Sequence, residues 1–358
     1  TKLEALQMAA DEFIDTIFGS TADARTSMSI IPYNEQVNAG AALLAQFNVS
    51  TQNTVNTCVD FYTSDFSSAA ISTSTLLHRS DSFYYWSSAW PSFSYGYTAS
   101  SLLSTPPVGD CMTGTAVAIL PWADTAAKAK AKIDGLKGGG NTSTEIGVKW
   151  GAALLDPSTR PAAKGLASLG LILSDFELRP IDYNDPDVMK VMVVMTDGAN
   201  THEYRLTPAF RDGYSDVYSY TCGTKTCYAL KGPDIAEPTG STGGRNYGDG
   251  DSNRNETIFF PSNTTLKDRF KPDWSGVSNV QNLTWAQLWQ VMTINYYADL
   301  KGKAASLVSN DSYNSSKYNN EYNQNDADAA IETMAGTKDN KMLSACRAAK
   351  EQGVIVFT

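Results

Sequence analysis

Apolar and polar positions along this chain follow two periods, and the sharpest segment is residues 190–200, KVMVVMTDGAN. The unbroken run Val191, Met192, Val193, Val194, Met195 predicts a strand buried on both faces of a parallel sheet. Thr196, Asp197 and Gly198 end it in a turn at its carboxyl edge. Open α/β sheets bind ligands at that edge, so the Asp197 carboxylate stands where it could hold a cation. Residues 138–150, GGGNTSTEIGVKW, predict a glycine turn and then a helix with Ile146, Trp150 and Leu154 on one stripe. Gly147 and Gly151 beside that stripe let the helix approach a sheet closely. Thr142, Ser143 and Thr144 sit where hydroxyls either cap the helix or ligate an ion.

The remaining core segments follow the same logic. Residues 1–18 form an amphipathic helix with Leu3, Leu6, Ala10, Phe13, Ile14 and Ile17 on its apolar face. Residues 27–33 are a strand broken by Pro32, 37–49 a hairpin or edge strand, 116–122 (AVAILPW) a strand and 124–133 a short helix. Helical character is weaker over 165–178, where Gly170 interrupts it. Met342, Cys346 and Ala349 mark a last helix leading to the apolar strand GVIVFT at 353–358.

Two stretches break this pattern. Residues 61–110 mix serines with many aromatics, from Phe61, Tyr62 and Phe66 to Trp86, Trp90 and Tyr97, as in a compact insert with its own aromatic core. Residues 202–340 are rich in Gly, Asn, Asp, Ser and Thr as far as about 278, so loops and turns dominate there. A helix near 283–303 then carries Trp285, Trp289, Met292, Tyr296 and Leu300 at a spacing that suits core packing better than a cofactor site. We therefore expect one α/β core, made of 1–60, 111–201 and 341–358, with two large insertions.

Charge narrows the partners. The 358 residues carry 28 Lys and Arg against 38 Asp and Glu, a net charge of −10 that repels nucleic-acid backbones. No apolar run reaches the ~18 residues of a membrane span. Of the five cysteines, Cys222 and Cys227 enclose only GTKT, and Cys58 and Cys111 flank the aromatic stretch. Both pairs are disulfide candidates, which suggests an oxidising compartment. Cys346 is left as a buried thiol or one with a partner beyond Thr358.

The strand ending in Thr-Asp-Gly and the GGGNTST helix together resemble a von Willebrand factor A domain. Adding KLEALQMAADEFID, SIIPYNEQV, LPW and ACRAAKEQGVIVFT narrows the likeness to the A-type domain of TadG-like proteins of bacterial tight-adherence pilus systems. The resemblance implies a doubly wound, mostly parallel sheet and a divalent ion, Mg²⁺ or else Mn²⁺ or Ca²⁺, held by three loops. Thr142 matches the family's loop threonine and Asp197 its last aspartate. The family's first loop, Asp-x-Ser-x-Ser after the central strand, has no counterpart here, and residues 1–18 match the helix that follows it. The expectation is an interior piece of a longer protein, with weak metal binding by itself. A non-enzymatic domain is implied that binds a protein partner through that partner's acidic residue, on the periplasmic or surface side of the envelope, with a membrane tether outside this chain.

Two other functions compete. Asp197, His202 and a serine of the 140s loop could form a hydrolase triad, although no Gly-x-Ser-x-Gly elbow or Walker motif accompanies them. A structural scaffold with a degenerate site is the other. Asn-x-Ser/Thr matches at Asn48, Asn141, Asn255, Asn263, Asn282, Asn310 and Asn314 suit an extracellular glycoprotein, but arise readily in so Asn- and Ser-rich a chain.

Overall fold

The computed structural model describes residues 2–19, 25–54, 56–80, 83, 111–196, 198–231, 258–261, 270–271, 273–306, 330–333 and 335–358. In chain order these form α1 (Lys2–Gly19), β1 (Met28–Ile30), the one-turn helix α2 (Ala41–Leu44), β2 (Val59–Asp60), β3 (His78–Arg79), β4 (Leu120–Ala123), α3 (Ala126–Asp134), α4 (Thr144–Ala153), α5 (Arg160–Ser168), β5 (Val191–Val193) and β6 (Glu203–Leu206). Next come β7 (Tyr214–Cys222), β8 (Lys225–Lys231), β9 (Ile258–Phe259), β10 (Phe270–Lys271), β11 (Ser278–Thr284), α6 (Trp285–Val291) and α7 (Ile294–Ser306). The elements β12 (Ala330–Thr333), α8 (Ala335–Glu351) and β13 (Ile355–Phe357) follow.

Helices and strands are mixed, and the sheets are small. Antiparallel pairs join β1 to β4 and β2 to β3, a parallel pair joins β5 to β13, and β12 lies beside β6. Strands β10-β9-β8-β7-β11 form an antiparallel sheet of five. The chain divides into two compact units, Thr1–Ser80 with Asp110–Arg205 and Glu332–Thr358, and Asp81–Gly109 with Leu206–Ile331.

In the first unit, α4 is the centre of the core. Ile146, Trp150 and Leu154 are buried as their spacing predicts, and Trp150 meets Phe47 and Phe61 edge-on at 5.8 and 5.9 Å. The two glycines act as expected. A Cβ at Gly147 would lie 2.7 Å from the Tyr33 ring, and one at Gly151 would lie 3.0 Å from the Met192 sulfur of β5. Ala10 and Ile14 of α1 pack on Ala129 and Ile133 of α3, which begins at a Thr125 cap bonded to the Lys128 amide. Phe61 and Phe66 join this main core, whereas Tyr84, Tyr85, Trp86, Trp90, Phe93, Tyr95 and Tyr97 lie outside the described residues.

Four local expectations give way. Residues 37–49 keep only single bridges, Asn38 to Ala118 and Val49 to Leu77. Gly40 turns the chain at φ 77°, the Asn38 side chain accepts its N–H, and the Ala-Ala-Leu-Leu run coils into α2. Helix α5 spans Arg160–Ser168, earlier than expected, and Gly170 at φ 68° follows its end.

The third concerns the second unit, where loops were expected and a hairpin of β7 and β8 stands instead. Its strand YSDVYSYTC buries Ser215, Val217 and Tyr220 among polar neighbours, too weak an alternation to read from composition. The expected single helix is two. Met292 is extended (φ −145°, ψ 140°), and the Thr293 hydroxyl caps α7 by accepting from the Tyr296 amide. The aromatic stripe does pack as core. Trp285 and Trp289 stack 5.5 Å apart, both edge-on to Tyr297, and the Trp289 indole donates to the Phe210 carbonyl.

Both disulfide candidates are bonded, Cys58 to Cys111 and Cys222 to Cys227, while Cys346 is a half-buried free thiol. The first bridge joins two buried positions 53 residues apart. Replacing Cys58 and Cys111 by Ala should therefore lower unfolding stability by about 2–5 kcal/mol in urea titrations. An unchanged midpoint would show that this bridge contributes nothing.

Candidate metal centre

The segments on either side of the proposed site are hydrogen-bonded to each other. After β5 the Thr196 hydroxyl closes a turn, donating to the Gly198 carbonyl and accepting from the Gly198 amide. The chain then runs beside the loop before α4. Thr142 N–H donates to the Thr201 hydroxyl at 2.7 Å, and Thr201 N–H returns a bond to the Thr142 carbonyl at 3.0 Å. The Asn200 side-chain oxygen accepts the Thr144 amide at 2.8 Å, so the cap of α4 comes from across the fold. Ser143, at the cap position, makes no side-chain cap bond. Its amide and hydroxyl instead donate to the carbonyls of Asn34 and Glu35.

Behind this loop lies a cluster of buried charges. The ammonium of Lys338 on α8, fully removed from solvent, donates to the Thr142 carbonyl at 2.9 Å and to the Ser143 hydroxyl at 2.5 Å. It faces Glu145 at 3.7 Å, and neither Glu145 oxygen has a hydrogen bond. Burial pushes the Glu145 carboxyl up to about 7, with Lys338 opposing the shift. Glu203, held by the Gln36 amide at 2.9 Å, is raised by burial too. Lys338 and Lys341 are lowered, again chiefly by burial.

Thr142 stands just before α4, beside the chain leaving β5. It is half-buried, and its hydroxyl makes no hydrogen bond among the described residues. Asp197 lies outside the described residues. His202 is exposed, and the Ser143 hydroxyl gives its proton to a backbone carbonyl. Among the described residues no three Asp, Glu, His or Cys side chains converge as a metal cage. The Thr142 hydroxyl, without a hydrogen bond among the described residues, is a donor of the type a hard cation takes.

Comparison with family models, curated proteins and solved structures finds no match. The functional reading therefore rests on the resemblance given above and on the chain's own residues. Several of these were invisible to local patterns. Glu145 follows the hydroxyl cluster but reads as an ordinary first-turn acid, and Lys338 sits in a polar stretch remote from the loop it binds. Only Asn200 and Thr201, polar and close behind a buried strand, carried a usable signal.

A cavity of about 690 Å³ opens between β1 and β5. Leu6, Phe13 and Ile17 of α1 line it together with Val148 and Leu154 from the α4 side, and Thr142 and Thr196 also border it. Among the described residues β1 pairs only with β4 and β5 only with β13, so each strand keeps one edge unpaired. The Tyr33 hydroxyl, donating to the Met195 carbonyl at 2.6 Å, ties the two sides together.

The raised Glu145 carboxyl carries a pH signature. In the unfolded chain it ionises near its ordinary 4.5 and in the fold near 7, so between these values the folded state holds more protons and stability falls as pH rises. The fall from this group is about 3 kcal/mol, and Glu203 adds to it in the same direction. Unfolding midpoints of the wild type measured from pH 4.5 to 7 should show this decline, and Glu145→Gln should make it shallower, leaving the part that Glu203 contributes. Parallel profiles for the two proteins would contradict the assignment.

Proposed function

We propose that this chain forms a metal-dependent protein-binding domain of the von Willebrand factor A type, from the tight-adherence pilus branch of that family. The carrying observation is Thr142. Its uncommitted hydroxyl is held by the backbone beside the segment leaving the carboxyl end of β5, next to the apolar cavity. In this reading a central strand fills the cavity and unites the β1–β4 and β5–β13 ladders as one doubly wound sheet. That strand would deliver the Asp-x-Ser-x-Ser loop to the end where Thr142 stands.

Thr142 would then supply a hydroxyl, Asp197 a carboxylate and the first loop the remaining oxygens around Mg²⁺, Mn²⁺ or Ca²⁺. When bound, the ion supplies electrostatic attraction for a partner's Asp or Glu. The chain's own residues hold the loop, keep its glycine turn in register and leave the rest of the surface net negative. At −10, an acidic partner is repelled at long range, so binding without the ion is weak. In this reading no bond is made or broken. Pilus or other envelope components, on the periplasmic or cell-surface side, are the partners this reading expects.

One observation favours a scaffold with a degenerate site instead. The Lys338 ammonium already lies against the Thr142 carbonyl, so part of the loop's oxygen chemistry is taken. Substitution separates the two readings. In the native protein, with any sequence upstream of Thr1 included, Thr142→Ala and Asp197→Ala should each weaken Mg²⁺ or Mn²⁺ uptake at least tenfold by calorimetry, with unfolding midpoints near wild type. Metal affinity indifferent to both changes would leave the scaffold as the better account.

A further inference from the structure

We propose that Lys338 and Asp339, near the start of α8, are positioning residues that clamp the Thr142 loop to the segment leaving β5 and decide which loop oxygen is left for a ligand. The clamp itself rests only on geometry, while its consequence for metal rests on the reading given above. The two adjacent residues reach the two sides of the site. Lys338 donates to the Thr142 carbonyl and the Ser143 hydroxyl. Asp339 accepts the Asn200 side-chain N–H at 2.8 Å, and the oxygen of the same Asn200 amide caps α4 through Thr144 N–H. A single helix thus holds one loop directly and the other through Asn200.

Such a clamp is needed because the stretch before Thr142 is Gly138, Gly139 and Gly140, with Gly140 at φ 78°, and glycine adds no steric restraint. The restraint must come from outside the loop. A buried ammonium supplies it, because it is stable there only while its donors are satisfied by oxygens in fixed places. Loop and lysine therefore hold each other. The choice of oxygens matters as well. With the Thr142 carbonyl and the Ser143 hydroxyl both bonded to Lys338, the Thr142 hydroxyl is the uncommitted oxygen of those two residues. The clamp thus presents a side-chain hydroxyl and withholds a carbonyl.

Lys338→Met alone strands the Glu145 carboxylate without its counter-ion and threatens the fold, so the decisive variants are Lys338→Met combined with Glu145→Gln, and Asp339→Ala at an exposed position. Amide hydrogen exchange is read by mass spectrometry on the metal-free chain. We expect roughly tenfold faster exchange in peptides covering 138–147 and 196–203 for both variants, with the β7–β8 hairpin unchanged. Asn200→Ala should reproduce Asp339→Ala, and the double variant should add little to either. Exchange unchanged in those peptides, or accelerated equally throughout the chain, overturns the clamp. A second arm titrates Mn²⁺ alone and follows it by paramagnetic line broadening. A several-fold rise in half-saturation for Asp339→Ala supports the presentation of the hydroxyl, and an unchanged value overturns it. If the wild type takes up no Mn²⁺ even with its upstream sequence, the metal reading fails, and the exchange arm still decides the clamp.

Discussion

Every residue of α4 from Thr144 to Ala153 is buried, and the helix carries two ionisable side chains into that interior. Burial of this kind is tolerated only where partners are supplied, and each charge recruits a different part of the chain. The Lys149 ammonium, pushed down to about 8 by burial, donates to the carbonyls of Ser68 and Ala70 at 2.8 Å each. Glu145 draws on Lys338 of α8, almost two hundred residues away, which is bonded in turn to the loop that starts α4. Breaking such a buried pair by removing one partner costs about 3–5 kcal/mol, more than most surface contacts together. The helix that orders the hydrophobic core therefore also fixes the geometry of the candidate site.

This dependence explains what the sequence could and could not reveal. The strand at 191–193, helix α3 and helix α4 are set by patterns within a dozen residues: an apolar run, a Thr125 cap, a 3.6-residue stripe with glycines beside it. These were legible. The split between α6 and α7 was not, because Trp285, Trp289 and Tyr296 keep a helical rhythm across an extended Met292, and the break turns on a single Thr293 cap. Likewise the β7–β8 hairpin is closed by Gly223 at φ 65° and paired through backbone, with Tyr and Ser alternation too polar to announce a strand.

The site divides along the same line. The hydroxyl cluster before one helix and the polar turn after one strand are local features and were legible as such. The site's internal chemistry was not. Thr142, Ser143 and Thr144 look equivalent in sequence, yet one hydroxyl is uncommitted, one is locked between a lysine and a carbonyl, and the Thr144 amide is capped by Asn200. Those differences are made by Glu35, Asn200 and Lys338, which no local period connects to the loop.

The cavity between β1 and β5 poses a problem in backbone terms. An edge strand presents N–H and C=O groups along its unpaired side, which need a partner from water, side chains or a further strand. Here the apolar stripe of α1 and the close-packed face of α4 line the cavity together with polar residues such as Ser29, Asn34 and Lys190, and the Tyr33–Met195 bond links the segments after β1 and β5. A bulky side chain could fill the volume but would leave both edges unpaired, and water would satisfy the edges while wetting Leu6, Phe13 and Val148. An extended apolar strand does both things at once, since it bonds on either side and turns its side chains toward the two helical layers. A strand in that position would end beside Thr142 and Thr196, which both border the cavity.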